Sequence, residues 1–227
     1  MASADLATHN AADDGEPFDP TLIRSTVILD PQLSEEIRRQ RAECGSDRFD
    51  EVWDGVYMMS PLANNEHQEF GTRLAAAIQV GMGFDFSGTI LAGVNVSDRS
   101  EEWTVNFRIP DVAVYLPTTE AVDRGAFWQG GPDFAVEIVS KHDRAREKID
   151  FYAKVGTREL MFVDRDPWRI ELLRLVSGRL VSVGESSLNE DRVLASEVIP
   201  FAFRLIEGET RPRIEVTHST TRQNWNV

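Results

Sequence analysis

The period of the apolar positions changes several times along this chain, and each change marks an element. Ser34 to Cys44 reads as a short helix, with Ser34 as its N-cap, charged residues on its exposed side and Gly45 at its end. From Phe49 to Ser60 the β-prone runs FDEVW and VYMMS flank Asp54-Gly55, which predicts a hairpin. Asn64 or Asn65 can cap a longer helix reaching Met82, in which Phe70, Leu74 and Ile78 recur at helical spacing. Strands are expected over 89–97, 105–116 and 133–139. A helix follows from Asp143 to Val155, with Ser140 and Asp143 forming a capping-box-like start and Gly156 placed to end it. Further strands are expected over 159–164, 169–175 and 180–184. From about Gly208 the periodicity fades, which predicts a loose tail over 208–227.

In VAVYL and FAVEIV apolar residues occupy both alternating faces, the pattern of central strands covered on both sides. Glu137 lies inside the second run, where an ionised carboxylate is costly unless it is paired or bound to a cation. Asp111 opens the first strand and Glu137 nearly closes the second. Antiparallel pairing brings such positions together at one rim, a geometry suited to oxygen-preferring Mg²⁺ or Mn²⁺. On the following helix Ala145, Ile149, Tyr152 and Ala153 form the apolar face, and Lys148 shares it.

Each of these residues also has a plainer reading. The Lys148 stem can pack while its ammonium reaches water. Glu137 can form a buried salt bridge, Lys148 being one partner for it, and Asp111 can be a strand-entry residue after Pro110. His67 faces inward with Phe70, Leu74 and Ile78, either as a satisfied core residue or beside a metal site. Glu51 alternates with Phe49 and Trp53, either completing a metal shell or accepting a hydrogen bond from the helix.

Composition narrows the function classes. The chain has 227 residues, 41% of them hydrophobic, enough for one good-sized core and one domain. Asp and Glu number 38 against 24 Lys and Arg, a net charge of −14 that repels nucleic acid at long range. Asp5, Asp13, Asp14, Glu16 and Asp19 belong to a polar N-terminal stretch over 1–20 that reads as a disordered acidic tail, yet the rest remains acidic. Cys44 is the single cysteine, which excludes an internal disulfide framework, and no run resembles a signal peptide or a membrane span. A cytoplasmic location is the expectation. Zinc-finger and HExxH spacings, a P-loop, a Rossmann fingerprint and a GxSxG elbow are all absent.

Pro110-Asp111, then Glu137-Ile138-Val139-Ser140, then Lys148 and Tyr152 on a helix ending at Gly156, together resemble the Uma family of endonucleases within the PD-(D/E)xK superfamily. Upstream, Glu51, Asp54-Gly55, Ser60-Pro61 and His67 look like that family's N-terminal half, so the likeness covers about Phe49 to Trp168. It implies an α/β (α+β) restriction-endonuclease-like core, a central mixed sheet flanked by helices, in one domain over 21–207. It further implies that Asp111, Glu137 and the backbone carbonyl of Ile138 hold Mg²⁺ or Mn²⁺, and that Lys148 stands in for the superfamily lysine, with Glu51, His67 and Tyr152 around them. Two departures are visible: Val139 stands where the superfamily places its lysine, and Lys141-His142 replaces the usual Pro and small hydroxyl residue.

The expected activity is metal-dependent hydrolysis of a nucleic-acid backbone, with DNA as partner on the strength of the resemblance. Cutting both strands of a duplex calls for two sites and so for a homodimer. An inactive interaction module of the same fold and a hydrolase of a smaller phosphate ester are the alternatives. Clustering of Arg38, Arg39, Arg41, Lys141, Arg144 and Arg146 at the site favours the nuclease, and their pairing with acids weighs against it.

Overall fold

A computed structural model describes residues 26–60, 63–140 and 144–227. The expected tail over 1–20 lies outside these residues, as do Pro61, Lys141, His142 and the expected cap Asp143. Strand β1 (Thr26–Ile28) leads into helix α1 (Pro31–Glu43). This helix starts before Ser34 because the Asp30 carboxylate accepts the Leu33 N–H at 2.8 Å and Pro31 takes a first-turn position that needs no N–H. β2 (Glu51–Trp53) and β3 (Val56–Met59) form the expected hairpin, with Asp54 and Gly55 at φ 49° and 87°, left-handed backbone that an Asp-Gly turn tolerates. In α2 (Asn65–Met82) the Asn64 side chain caps the His67 N–H at 2.9 Å, and Phe70, Leu74 and Ile78 are buried.

Two expected strands are split. The first divides into β4 (Thr89–Leu91) and β5 (Val96–Ser97), and the second into β6 (Phe107–Arg108) and β7 (Val112–Tyr115). Pro110 has no N–H for a ladder bond and interrupts the second run, and in both cases the two halves enter different sheets. β8 (Val122–Asp123) and β9 (Trp128–Gln129) are short pieces before β10 (Phe134–Val139). The next helix opens as a 3₁₀ turn over Ala145–Lys148, continues as α3 (Ile149–Lys154) and ends at Gly156, whose φ is 85°. β11 (Glu159–Arg165), β12 (Trp168–Val176) and β13 (Arg179–Ser186) follow.

The central sheet has the order β13-β12-β11-β10-β7-β4, with β10 and β11 parallel and the other neighbours antiparallel. It is a mixed sheet with both of its faces covered. Phe134, Val136 and Ile138 pack with Val112, Val114 and the α2 residues Phe70, Leu74 and Ile78, while the opposite-facing Ala135 packs with Phe151 and Tyr152 of α3. Strand alternation therefore turns Glu137 towards α3.

The chain after Gly208 is not loose, contrary to the reading of its periodicity. β14 (Leu194–Ala195), β15 (Phe201–Ile206), β16 (Arg213–His218) and β17 (Asn224–Asn226) form one antiparallel sheet, and its Phe201, Phe203, Ile214 and Val216 join the α2-side core. Val227 exchanges both backbone hydrogen bonds with Ile214, at 3.0 and 2.9 Å. The charged residues Arg213 and Glu215, alternating with buried Ile214 and Val216, mask a one-sided strand as a polar tail.

Candidate active site

β7 and β10 pair antiparallel as far as Val112 and Val136, which brings Asp111, the residue before β7, to the end of β10 that carries Glu137 and Ile138. The Asp111 N–H donates to the Val136 carbonyl at 3.0 Å, and the Ile138 N–H donates to Asp111 Oδ2 at 2.6 Å. Asp111, partly open to solvent, and the buried Glu137 thus lie at the same end of the two strands.

Lys148 comes to them from the 3₁₀ turn and does not reach for water. Its Nζ lies 3.1 and 3.0 Å from the two Glu137 oxygens and 2.8 Å from Glu51 Oε1, and the residue is 9% exposed. The Tyr152 hydroxyl donates to Glu137 Oε1 at 2.5 Å. Glu51 also accepts the Trp53 indole N–H at 2.6 Å and the Ile109 N–H at 2.7 Å. Glu51 thereby bonds the helix lysine, and the buried Glu137–Lys148 pair is real. It stands inside a larger cluster.

His67, in the first turn of α2, faces the same place. Its Nε2 is 3.2 Å from the Ile138 carbonyl oxygen and 3.3 Å from Asp111 Oδ1. Burial lowers the His67 pKa, but the Asp111 hydrogen bond and charge outweigh it and hold the imidazole above its usual value. For Glu137, burial raises the pKa first; Lys148 opposes this, while the Asp111 and Glu51 charges push it up further, and the net shift is upward. The Tyr152 hydroxyl is pushed well above its ordinary value by burial and by the same carboxylates, which keeps it a donor.

Three carboxylates, Asp111, Glu137 and Glu51, therefore surround one lysine and one histidine. This excess of negative oxygen donors fits a hard divalent cation, which would offset the mutual repulsion of Asp111 and Glu137. Among the described residues no three His, Cys, Asp or Glu side chains form a ready-made metal cluster. The candidate donors are two carboxylates and the Ile138 carbonyl, which is turned towards His67.

Of the two arrangements open to the arginines, the structure has the paired one. Arg38 pairs with Glu35, Arg39 with Glu43, Arg41 with Asp50, Arg144 with Glu147, and Arg146 with Asp164 and Glu171. Sequence reading missed a different arginine. Arg165, at the end of β11, reaches Ser140 Oγ at 2.5 Å, Glu66 at 2.9 Å and Asn64 Oδ1 at 3.3 Å, joining the loop after β10 to the first turn of α2. Its only sequence signal is a cation closing the apolar run LMFVDR.

The rim of paired strands, with acids from two of them and a lysine from the following helix, belongs to a nuclease-type fold. A solved structure described as a putative nuclease belonging to DUF820, from Anabaena variabilis ATCC 29413, superposes with a TM-score of 0.52 at 15% identity, covering 65% of this chain and 80% of its own. The chain belongs to the Uma2 family, described as "Putative restriction endonuclease", whose match spans residues 35–206. No curated protein matches.

Proposed function

We propose that the protein is a metal-dependent endonuclease that hydrolyses phosphodiester bonds in DNA at the Asp111–Glu137 rim. The observation that carries this reading is the approach of the Lys148 ammonium to within 3.0 Å of the Glu137 carboxylate, next to the Ile138 N–H that Asp111 accepts. Asp111, Glu137 and the Ile138 carbonyl would hold Mg²⁺ or Mn²⁺, which when bound supplies Lewis-acid polarisation of the phosphodiester and a more acidic water. Lys148 places positive charge where the phosphate becomes more negative, and Tyr152 and Glu51 fix the positions of Glu137 and Lys148. His67 orients Asp111 and the Ile138 carbonyl. No helix among the described residues is long and apolar enough to cross a membrane.

The test is incubation of plasmid and single-stranded DNA with wild type, Asp111→Asn and Glu137→Ala, in Mn²⁺, in Mg²⁺ and in chelator. Metal-dependent cleavage lost in both variants is expected, and activity surviving both substitutions would overturn the proposal. A hydrolase of smaller phosphate esters is the second reading, favoured by the pairing of the neighbouring arginines with acids, which leaves little positive surface for an extended backbone. Faster turnover of a small phosphodiester such as bis(p-nitrophenyl) phosphate than of any DNA would select it. Sedimentation with and without duplex DNA tests the homodimer that cleavage of both strands calls for.

A further inference from the structure

Beside the carboxylate rim, one acid is shared by two guanidiniums. Glu66, directly before His67 in the first turn of α2, lies 2.9 Å from Arg165 Nη1 and 3.7 Å from Arg211 Nε. The two arginines differ in what else they hold. Arg165 is fully engaged, with Nη2 on Ser140 Oγ at 2.5 Å, Nη1 also 3.3 Å from Asn64 Oδ1, and Nε 3.5 Å from the Val139 carbonyl. Arg211, between β15 and β16, donates from Nη1 to the Pro212 carbonyl at 3.0 Å. Its Nε and Nη2 donate no hydrogen bond among the described residues, since 3.7 Å is too long for one to Glu66. Nor are these atoms sealed in. Among the described residues the buried side-chain atoms without a partner are Arg108 Nε and the Tyr115 and Thr157 hydroxyls, so the unbonded Arg211 edge meets solvent.

That edge is held in a fixed plane. The Arg211 guanidinium lies over the rings of Phe70 and Trp168, 5.0 and 5.7 Å from their centroids. Stacking keeps the N–H fork in one orientation, and the fork matches two oxygens of a phosphate. Glu66 fills it poorly: its side chain is 41% exposed, and an exposed carboxylate at 3.7 Å contributes little. The pair of arginines therefore carries more positive charge than Glu66 offsets, the reverse of the balance at the rim. The two places adjoin along the backbone. Arg165 holds Val139 and Ser140, which follow Ile138, and Glu66 precedes His67, whose Nε2 reaches the Ile138 carbonyl.

We propose, building on the nuclease reading above, that the Nε–Nη2 edge of Arg211 receives a backbone phosphate flanking the scissile one, and that Glu66 stands in for this phosphate until substrate displaces it. Once the carboxylate swings out to solvent, Arg165 and Arg211 face the phosphodiester anion together. Arg211 strengthens binding without regard to base sequence, and Glu66 weakens it in the same way.

The test titrates a fluorescent single-stranded oligonucleotide with the full chain in chelator, where metal-dependent cleavage does not intervene, and follows anisotropy over a series of salt concentrations. Arg211→Gln is expected to weaken binding about tenfold. It also lowers the slope of log affinity against log salt by about 0.7, the signature of one lost phosphate contact on a single strand. Arg211→Lys keeps the charge and the slope but not the fork, and its affinity falls between. Glu66→Gln binds several-fold tighter than wild type, a gain that misfolding does not produce, and the gain shrinks in the Arg211→Gln background. Unchanged affinity and slope in Arg211→Gln, an equal Glu66→Gln gain in both backgrounds, no saturable binding by wild type and Glu66→Gln alike, or competition by inorganic phosphate at oligonucleotide concentrations would each overturn the proposal. Cleavage assayed on the same preparations separates the two readings. Intact cleavage by wild type, with Arg211→Gln binding as wild type does, removes the phosphate subsite alone; Arg211-dependent binding without any metal-dependent cleavage removes the nuclease alone.

Discussion

Glu137 and Glu159 are buried carboxylates on neighbouring parallel strands of one sheet, and their surroundings differ in kind. Glu159 pairs with Arg174 at 2.8 Å, a guanidinium that also reaches the exposed Glu197 at 2.7 Å; the Ser196 hydroxyl donates to the other Glu159 oxygen, and the Glu197 N–H donates at 3.1 Å. Glu137 shares its lysine with the buried Glu51, feels the charge of Asp111, and has its pKa pushed up by burial and then by those acids. A carboxylate that exists to close a fold collects donors until its charge is matched. One that exists to bind is left with more acid around it than cation. The same sheet therefore carries a structural acid at the start of β11 and, near the end of β10, the acid proposed to bind metal.

Replacing each acid by alanine separates the two roles most widely. Glu137→Ala is expected to lower metal-dependent cleavage by more than about 10²-fold. Its stability cost is about 1–3 kcal/mol, since Lys148 keeps Glu51 while the buried Tyr152 hydroxyl loses its acceptor. Glu159→Ala is expected to leave cleavage per folded molecule intact and to cost about 1–3 kcal/mol, because the Ser196 hydroxyl and the Glu197 N–H lose their acceptor and Arg174 keeps only the exposed Glu197. Denaturant midpoints and initial rates on the same preparations check both, and a reversed pattern breaks the comparison. Lys148→Met removes the shared cation from both Glu137 and Glu51; a loss of about 3 kcal/mol together with lost cleavage is expected, measured in the same way.

Smaller effects sharpen the contrast. Tyr152→Phe deletes one donor to Glu137, and a stability loss of about 1–2 kcal/mol by urea unfolding is expected. Asp98→Asn probes an ordinary ion pair. Burial alone would raise the Asp98 carboxyl pKa, but hydrogen bonds and charge from Arg99 and Lys154 outweigh it and hold it well below the usual carboxylate range. The stability it contributes is present above the unfolded pKa near ~3.9 and is lost as pH falls through the lower folded value. Because both cations are well exposed, the Asn variant should cost less than about 1 kcal/mol at pH 7, with the difference from wild type closing in acid.

The carboxylate pair was legible because it depends on local grammar: two doubly apolar runs, one opened by Asp111 and one nearly closed by Glu137, and a helix whose apolar face contains Lys148. Antiparallel register then leaves little freedom in where the acids meet. The arginines were not legible, since a charged side chain's partner is set by long-range packing; Arg146 finds Asp164 and Glu171 on strands that follow it in the chain, and Arg165 reaches back to Asn64 and Glu66. Pro110 marks the break between β6 and β7, which a single strand over 105–116 passes over, and a change of sheet is a tertiary event that leaves no periodicity. The C-terminal strands were hidden for a related reason, because Ile214 and Val216 are too few to signal burial until Phe201 and Phe203 are seen to cover the same core.

The comparison between the two acids is tested most directly by calorimetric titration of Mn²⁺ into wild type, Asp111→Asn, Glu137→Gln and Glu159→Gln. Saturable binding retained in Glu159→Gln and lost in both Asp111→Asn and Glu137→Gln is the predicted result. Binding that survives in both rim variants, or that disappears only with Glu159, would contradict the assignment of the metal to the Asp111–Glu137 rim.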